Sequence, residues 1–179
     1  MQKVIKYVIF KTKWGHFGLA GSKSALCRTQ LPGPEPQKIE SELLKNCRDP
    51  QFDETFFKIL QEQIAAYFDG SCVNFSPDIP IVLDGFGGFS REVLTACRNI
   101  KFGQTISYRG LAAKAGRPAA SRAVGNALAK NPLPLIIPCH RVLRTDGKMG
   151  GFSAPGGISF KKRLLTLECK AISLSTSIR

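Results

Sequence analysis

The sequence predicts an α/β (α+β) fold in two parts, an N-terminal sheet with helices followed by a mostly helical C-terminal region. Three observations carry this. The first thirty residues are short β-rich runs separated by turn-prone residues. Beyond them, apolar side chains recur at helical spacing. Charge then shifts abruptly: residues 1–92 hold 11 Lys/Arg and 11 Asp/Glu, whereas residues 93–179 hold 15 Lys/Arg and only 2 acids, Asp146 and Glu168. The glycine-rich stretch Asp84–Gly88 coincides with that shift and marks the boundary, giving a first domain over 1–86, a second over 87–169 and a tail over 170–179.

The elements follow in order. Val4–Phe10, Trp14–Ala20 and Ser24–Gln30 read as three strands of a meander, with Lys13 and Gly21-Ser22-Lys23 in the turns. Leu31–Pro36 carries three prolines and reads as a linker. A helix over about 38–47 follows. A stronger helix takes Asp53 as N-cap, and Phe56, Phe57, Leu60, Ile64, Tyr67 and Phe68 form its buried stripe up to Gly70. Ile79–Leu83 reads as a short apolar strand. In the second half Ser90 caps a helix to about Arg98. A short helix over Tyr108–Ala115 precedes a tight turn at Gly116-Arg117, and Pro118 opens a helix to about Lys130. Helix, short glycine turn, helix is the helix-turn-helix pattern. The second of these helices is built of small residues that allow close approach to a DNA groove, with Arg122 projecting near its start. A final helix spans about Ile158–Cys169, with Phe160, Leu164, Leu165 and Leu167 inward and Lys161, Lys162 and Arg163 in water.

The chain has 179 residues, a formal net charge of +13, 43% hydrophobic and 22% charged residues. That composition is globular rather than disordered. No run approaches the roughly 18 apolar residues of a membrane helix, and the first ten residues lack the apolar core of a secretory signal. A cytoplasmic location is expected, nucleoid-associated in a prokaryote or nuclear in a eukaryote. The basic half attracts a polyanion, so nucleic acid is the expected partner rather than a membrane. A basic face that is merely solvated is the alternative.

Six cysteines occur, none in a C-x-x-C pair, and there are two histidines, His16 and His140. With only two histidines a zinc site has few possible ligands. Cys139 stands apart. Asn131-Pro-Leu-Pro-Leu-Ile-Ile-Pro-Cys-His-Arg-Val142 places it after an apolar run bracketed by prolines, on a rigid and irregular segment. A neighbouring His, with the positive charge of Arg141 and the basic domain, favours the thiolate, which is the nucleophile. Glu168, the one glutamate after residue 92, is the candidate to orient His140. The alternative is a buried cysteine with an incidental histidine.

Ile136-Ile-Pro-Cys-His-Arg-Val142 resembles the active-site signature of the O6-alkylguanine-DNA alkyltransferases, or methylated-DNA–protein-cysteine methyltransferases. Phe102-Gly-Gln-Thr-Ile-Ser-Tyr108, Ser121-Arg-Ala-Val-Gly125, Asn131-Pro132, Gly151-Phe-Ser and Leu164-Leu-x-x-Glu168 fall at that family's spacing. The resemblance is specific over about 90–168 and looser over the first 85 residues. It implies a ribonuclease H-like N-terminal domain with a three-stranded antiparallel sheet, and a C-terminal helix-turn-helix domain carrying the cysteine. By the same resemblance Cys139 is the alkyl acceptor, His140 its base through a bound water, and Glu168 the residue that orients His140. Asn131 supports the active-site turn and Tyr108 crowds the DNA phosphate. Arg122 enters the minor groove in place of a flipped nucleotide. Arg109, Arg117, Ser121 and Thr145 are further DNA-binding candidates, and Pro134, Val142, Phe152 and Ser153 the base pocket.

The implied partner is double-stranded DNA containing O6-alkylguanine or O4-alkylthymine, bound by a monomer that needs no cofactor. Against the zinc set of that family His16, Cys27 and Cys47 are no convincing match, so the resemblance implies no metal. Two departures from the family pattern stand out: Phe152 where several members have tyrosine, and Ala154-Pro155 as a two-residue insertion. Three other readings differ in what they expect. A helix-turn-helix protein that only recognises alkylated bases would lack the cysteine. A transcription regulator would bind one sequence without dependence on Cys139. A Cys-His hydrolase would turn over through a thioester.

Overall fold

The structure is a computed structural model that describes residues 4–177. It divides into two compact units, Met1–Leu83 and Asp84–Arg179.

In the first unit, β1 (Lys6–Thr12), β2 (Gly15–Ser22) and β3 (Ala25–Gly33) form an antiparallel meander. The alternation of apolar and polar residues sets which face each strand buries, and Val8, Phe17, Leu19 and Leu26 point into the core. The β1–β2 turn is closed by the Thr12 hydroxyl, which donates to the Gly15 carbonyl and accepts from the Trp14 N–H. Because β3 runs on to Gly33, little of the expected linker remains before α1 (Pro36–Leu43). Pro36 sits in the first turn, where its missing N–H costs nothing. At the other end the Arg28 guanidinium donates to the carbonyls of Leu43 and Lys45 at 2.9 and 2.8 Å, satisfying groups the helix leaves open.

A fourth strand not foreseen from the sequence, β4 (Gln51–Phe52), pairs parallel to β1, giving the sheet order β3-β2-β1-β4. Asp53 follows it directly and is not a helix cap. Its carboxylate holds Lys6 at 2.6 Å and accepts from the Thr55 N–H and hydroxyl, so it is spent on a turn. The helix, α2 (Lys58–Asp69), starts only after Phe57, whose φ is 52°. Leu60, Ile64, Tyr67 and Phe68 are its buried face, and Phe68 meets Trp14 and Phe17 at ring-centroid distances of 5.3 and 6.0 Å. Each such buried side chain contributes roughly 1.5–3 kcal/mol. Ile79–Leu83 is not a strand. Only Ile81 bridges to Leu26, because Pro80 has no N–H to continue a ladder.

The second unit begins with α3 (Gly88–Arg98), which has Gly87 rather than Ser90 at its N-cap. β5 (Ile106–Ser107) leads into α4 (Tyr108–Lys114), and the Ser107 hydroxyl caps it by accepting from the Gly110 N–H at 3.0 Å. After the turn at Gly116, Pro118 lies ahead of α5 (Ser121–Ala129) rather than inside its first turn. Val93, Leu94, Cys97, Leu111, Ala112, Val124, Ala127 and Leu128 are buried and bring α3, α4 and α5 together. A single 3-10 turn, Cys139–Arg141, runs into β6 (Val142–Leu143), which pairs parallel to β5. The last helix, α6 (Gly157–Ser177), is longer than expected. Ala171 is buried and Ile172 lies over Gly103, so the anticipated loose tail is helical through Ser177. Its last two residues, Ile178 and Arg179, lie outside the described residues, as do Met1–Lys3 at the start of the expected first domain.

Gly70 ends α2 at φ 98°, with nothing within 4 Å of where a Cβ would stand. Gly70→Ala is therefore expected to act through backbone strain alone. It should lower stability by about 1–2 kcal/mol in urea unfolding, without altering the folded spectrum.

Candidate active site

The segment that carries Cys139 is held from both ends. The Asn131 amide donates to the Ile137 carbonyl at 2.8 Å, while its own oxygen accepts from the Leu133 N–H at 3.0 Å. One side chain thus closes the loop, and Pro132, Pro134 and Pro138 fix three of its φ angles. Leu133, Leu135, Ile136 and Ile137 anchor it in the core. Leu135 sits at φ 79°, a conformation a branched side chain rarely adopts, so the surroundings impose it. Cys139 emerges at the first position of the 3-10 turn, buried, on the wall of a cavity of about 530 Å³.

That cavity brings together Cys139, Tyr108, Ser121, Phe152 and Ser153. Pro134 and Val142 do not line it: Pro134 bridges to Ile137, and Val142 is wholly buried. The segment after Met149 passes hard against Tyr108. A Cβ on Gly150 would fall 2.3 Å from the tyrosine oxygen, so only glycine leaves the ring its place. Burial raises the Tyr108 phenol above its ordinary range. A second groove, of about 330 Å³, opens on the far side of Tyr108 and is lined by Arg109, Ser121, Arg144 and Thr145. Arg122 is exposed at the second position of α5, and Arg117 lies in the turn with its guanidinium 4.9 Å from the Phe89 ring centroid.

Behind Cys139 lies a buried charge cluster. His140 Nε2 is 2.8 Å from Glu168 Oε1. Arg141 grips the same carboxylate through Nε, 3.1 Å from each oxygen, and through Nη2 at 2.9 Å, and its Nη1 donates to the Ile100 carbonyl at 2.6 Å. The Gly103 N–H donates to Glu168 Oε2 at 2.9 Å. Burial alone would raise the Glu168 carboxyl, but His140 and Arg141 outweigh it and hold the group at about 2. Burial keeps His140 below its ordinary value, so the imidazole is neutral at pH 7. With an ionised carboxylate at Nε2, the proton of the neutral ring sits there and Nδ1 is free to accept another.

Lys161 corrects the expectation of a solvated side chain. It is wholly buried, with Nζ donating to the Val142 carbonyl at 2.6 Å and lying 5.8 Å from the Tyr108 ring centroid. Lys162 and Arg163 are exposed as expected. The signal for Lys161 was its spacing, seven residues before Glu168 and so on the same face of α6. Arg141 was expected to act on the thiol, and its main partner is instead Glu168. The cluster therefore holds two cations, one anion and a neutral imidazole beside Cys139. Burial pushes the Cys139 thiol up, against which the Asn131 amide, the Lys161 charge and the backbone N–H groups of the turn pull it down. Among the described residues no three His, Cys, Asp or Glu side chains are grouped to hold a metal ion. None of the helices described is long and apolar enough to cross a membrane.

Residues 88–170 match the family model for the DNA-binding domain of 6-O-methylguanine DNA methyltransferase. The methylated-DNA–protein-cysteine methyltransferase of Methanosarcina acetivorans is 34% identical over 163 residues, covering 90% of this chain and 97% of that one. The Mus musculus protein of the same name is 52% identical over 81 residues, 45% of this chain and 38% of its own. Among solved structures, that of Mycobacterium tuberculosis OGT in complex with DNA is similar with a TM-score of 0.75 at 33% identity, covering 93% of this chain and 94% of that one.

Because Glu168 neutralises Arg141 and holds His140, Glu168→Gln leaves a buried cation unpaired. It is expected to cost about 3–5 kcal/mol at pH 7 in urea unfolding. The folded carboxyl lies at about 2, below its ordinary 4.5, so its contribution is complete above that ordinary value and is lost as pH falls toward 2. The difference between parent and variant should narrow over that interval.

Proposed function

The chain belongs to the methylated-DNA–protein-cysteine methyltransferase family, and we propose that it repairs O6-alkylguanine in duplex DNA by one irreversible alkyl transfer to Cys139. Family membership makes it a transferase with DNA as its partner. The observation that carries the finer reading is the pairing of Cys139, on a cavity wall, with a His140 whose Nε2 is already committed to Glu168 at 2.8 Å.

The first unit is then the ribonuclease H-like domain and the second the alkyltransferase domain, with the division between Leu83 and Asp84 rather than at 86–87 and with the expected tail joined to the second. In the second, α4 and α5 act as a helix-turn-helix with α5 in the DNA groove. The O6-alkyl carbon is out of reach inside a duplex, so the nucleotide must leave the stack. Unstacking costs a few kcal/mol, which an inserted side chain and phosphate contacts offset. Arg122, exposed near the start of α5, is the wedge, with Tyr108 crowding the phosphate. Arg109, Ser121 and Thr145 hold the backbone in the groove beyond Tyr108. The flipped base enters the cavity between Tyr108 and Phe152-Ser153.

The thiol proton passes to His140 Nδ1 through a water, and Glu168 stabilises the imidazolium so formed. The sulfur attacks the alkyl carbon, the S–C bond forms, and the C–O6 bond breaks with its electron pair going to guanine. Guanine takes up one proton from water, His140 gives the thiol's proton back to water, and the neutral base leaves. Hydrogen bonds from Tyr108 and from N–H groups near Ser153 stabilise the developing charge. Lys161 supplies a fixed positive charge behind the thiolate. The product thioether has no acyl carbon for water to attack, so each molecule acts once, as a monomer and without a cofactor. O4-alkylthymine fits the same chemistry, and the compartment is the one that holds the DNA.

Intact-protein mass spectrometry after incubation with an oligonucleotide containing O6-methylguanine should show a gain of about 14 Da, one per molecule and mapped to Cys139. Cys139→Ser should gain nothing, and tight binding without mass gain in the parent would sink the transfer reading. Lys161→Met removes the buried charge and should move the alkaline rise of thiol alkylation upward by about one pH unit, slowing transfer near neutrality roughly tenfold. An unshifted rate–pH profile would leave Lys161 with a packing role only.

A further inference from the structure

The proposed reaction uses α6 only as far as Glu168, yet the helix runs on to Ser177. Ala171 and Ile172 begin that extension. Residues three and four apart share one face of a helix, so both continue the face that carries Glu168. Ala171 is buried, and Ile172 is exposed on its outer side. The inner side of Ile172 meets Gly103. A Cβ on that glycine would overlap Ile172 Cδ1 and lie 3.2 Å from Cγ1, so the isoleucine rests directly on the Gly103 backbone.

Gly103 belongs to a tight turn over Lys101–Gln104, closed by the Gln104 N–H donating to the Lys101 carbonyl at 3.1 Å. It stands third in that turn at φ 70°, where a turn of this kind needs the left-handed region. Phe102 is buried, its ring centroid 5.7 Å from the Arg141 guanidinium. The turn so placed aims the Gly103 N–H at Glu168 Oε2, to which it donates at 2.9 Å. Oε1 takes His140 Nε2 at 2.8 Å with Arg141 Nη2 at 2.9 Å and Nε at 3.1 Å. Oε2 takes Arg141 Nε at 3.1 Å beside the shorter bond from Gly103. Glu168 therefore depends on a backbone donor whose place is set by a side chain one turn further along its own helix. Helical side chains lean back over the turn that precedes them, so Ile172 also covers this bond from the solvent side.

We propose that Ile172 is a positioning residue for the alkyl transfer: it seats the Gly103 N–H on Glu168 and keeps water from that carboxylate, and so fixes how Glu168 holds His140. The inference rests on the reading of His140 as the base and deepens it. The charged groups that face His140 are Glu168 and Lys161 of α6 and Arg141 beside it. Burial raises the thiols of Cys139 and of Cys97, on α3, and the Tyr108 phenol of α4, so these are uncharged near neutrality. Ile172→Ala leaves every one of these groups in place. It admits water to the carboxylate and loosens the Gly103 N–H. Weaker burial of the imidazolium, and a carboxylate shared with one donor fewer, both raise His140 from its lowered value toward the ordinary 6.5.

The test pairs nuclear magnetic resonance titration of His140 in the full chain with single-turnover transfer from a duplex containing O6-methylguanine, both followed across acid to neutral pH. His16 and His140 are the two histidines, and His16→Gln assigns their signals. Ile172→Ala should raise the His140 midpoint by about half a pH unit or more. Because the base must be neutral to accept the thiol proton, transfer should slow about threefold near pH 6 and stay nearly unchanged near pH 8. Ile172→Leu keeps an apolar reach over Gly103 and should restore the parent's midpoint and rates. Leu174→Ala removes a more exposed side chain from the same end of α6 and should shift nothing. A methyl at position 103 displaces Ile172, so Gly103→Ala should raise the midpoint likewise and add little to Ile172→Ala. A midpoint that Ile172→Ala leaves unmoved, or that Leu174→Ala moves equally, overturns the inference, as does a loss of transfer equal at every pH. A raised midpoint in a chain whose parent transfers no methyl would overturn the proposed function and leave the hold of Ile172 on Glu168 and His140 standing.

Discussion

The carboxylate of Glu168 is the interaction on which the rest of the second unit depends. A lone ionised carboxylate cannot be buried at 1% exposure, since its desolvation costs several kcal/mol. It is there because His140, the Nε–Nη2 edge of the Arg141 guanidinium and the Gly103 N–H converge on its two oxygens. Those donors come from two separate stretches of chain, and one anion thereby fixes α6, the 3-10 turn and the loop before β5 against one another. Arg141 carries the linkage further, to the Ile100 carbonyl and over the Phe102 ring. Any movement of α6 would leave a buried cation without its partner, so the site is rigid for electrostatic reasons as well as for packing.

In the proposed reaction, rigidity serves the nucleophile. Cys139 could be reactive on a mobile surface loop, but there its orientation would be lost to entropy. Here the Asn131 clasp, the three prolines and the strained Leu135 have removed that freedom on folding. The cost is burial, which disfavours the thiolate the chemistry needs. Lys161 answers that cost. Among the described residues no carboxylate lies within salt-bridge distance of its Nζ, and burial lowers the Lys161 ammonium below its ordinary value while a thiolate at Cys139 raises it, so the two charges support each other. Ionising Cys139 balances the ammonium charge. Two opposing buried charges are easier to keep than one, and the site is built so that the reactive form is the balanced form.

What the sequence made legible follows the range of the forces involved. The three strands of the meander and α4 lie within about three residues of their expected places, because alternation and turn chemistry are local. The pairing of His140 with Glu168 beside Cys139 was legible through a motif in which several constraints coincide. One miss is local, at Pro80, and the more informative ones are tertiary. Asp53 is a good cap by type, but Lys6, 47 positions away, claims its carboxylate first. Gln51-Phe52 becomes a strand only because β1 has an open edge beside it. The residues after Glu168 look polar and loose, yet Ala171 continues the buried stripe and Ile172, itself exposed, lies over Gly103, and the helix runs on to Ser177. Lys161 is the sharpest case, since composition treats every lysine as solvated and only its helical phase with Glu168 says otherwise.

That case bears on how net charge should be read. The excess of 15 Lys/Arg over 2 acids in residues 93–179 suggests a single surface with a single purpose. The structure separates it into two populations. Arg141 and Lys161 are buried, face the carboxylate and the thiol, and act over a few ångströms in a medium that screens little. Arg91, Arg109, Lys114, Arg117, Arg122 and Arg144 are exposed, and water and salt screen them, so each contributes little alone. Their effect on a polyanion comes from number and spacing. A substitution in the first group therefore alters the chemistry at Cys139 at any ionic strength, whereas one in the second alters encounter and grip in a manner that salt can erase. The same residue type does both, and burial decides which.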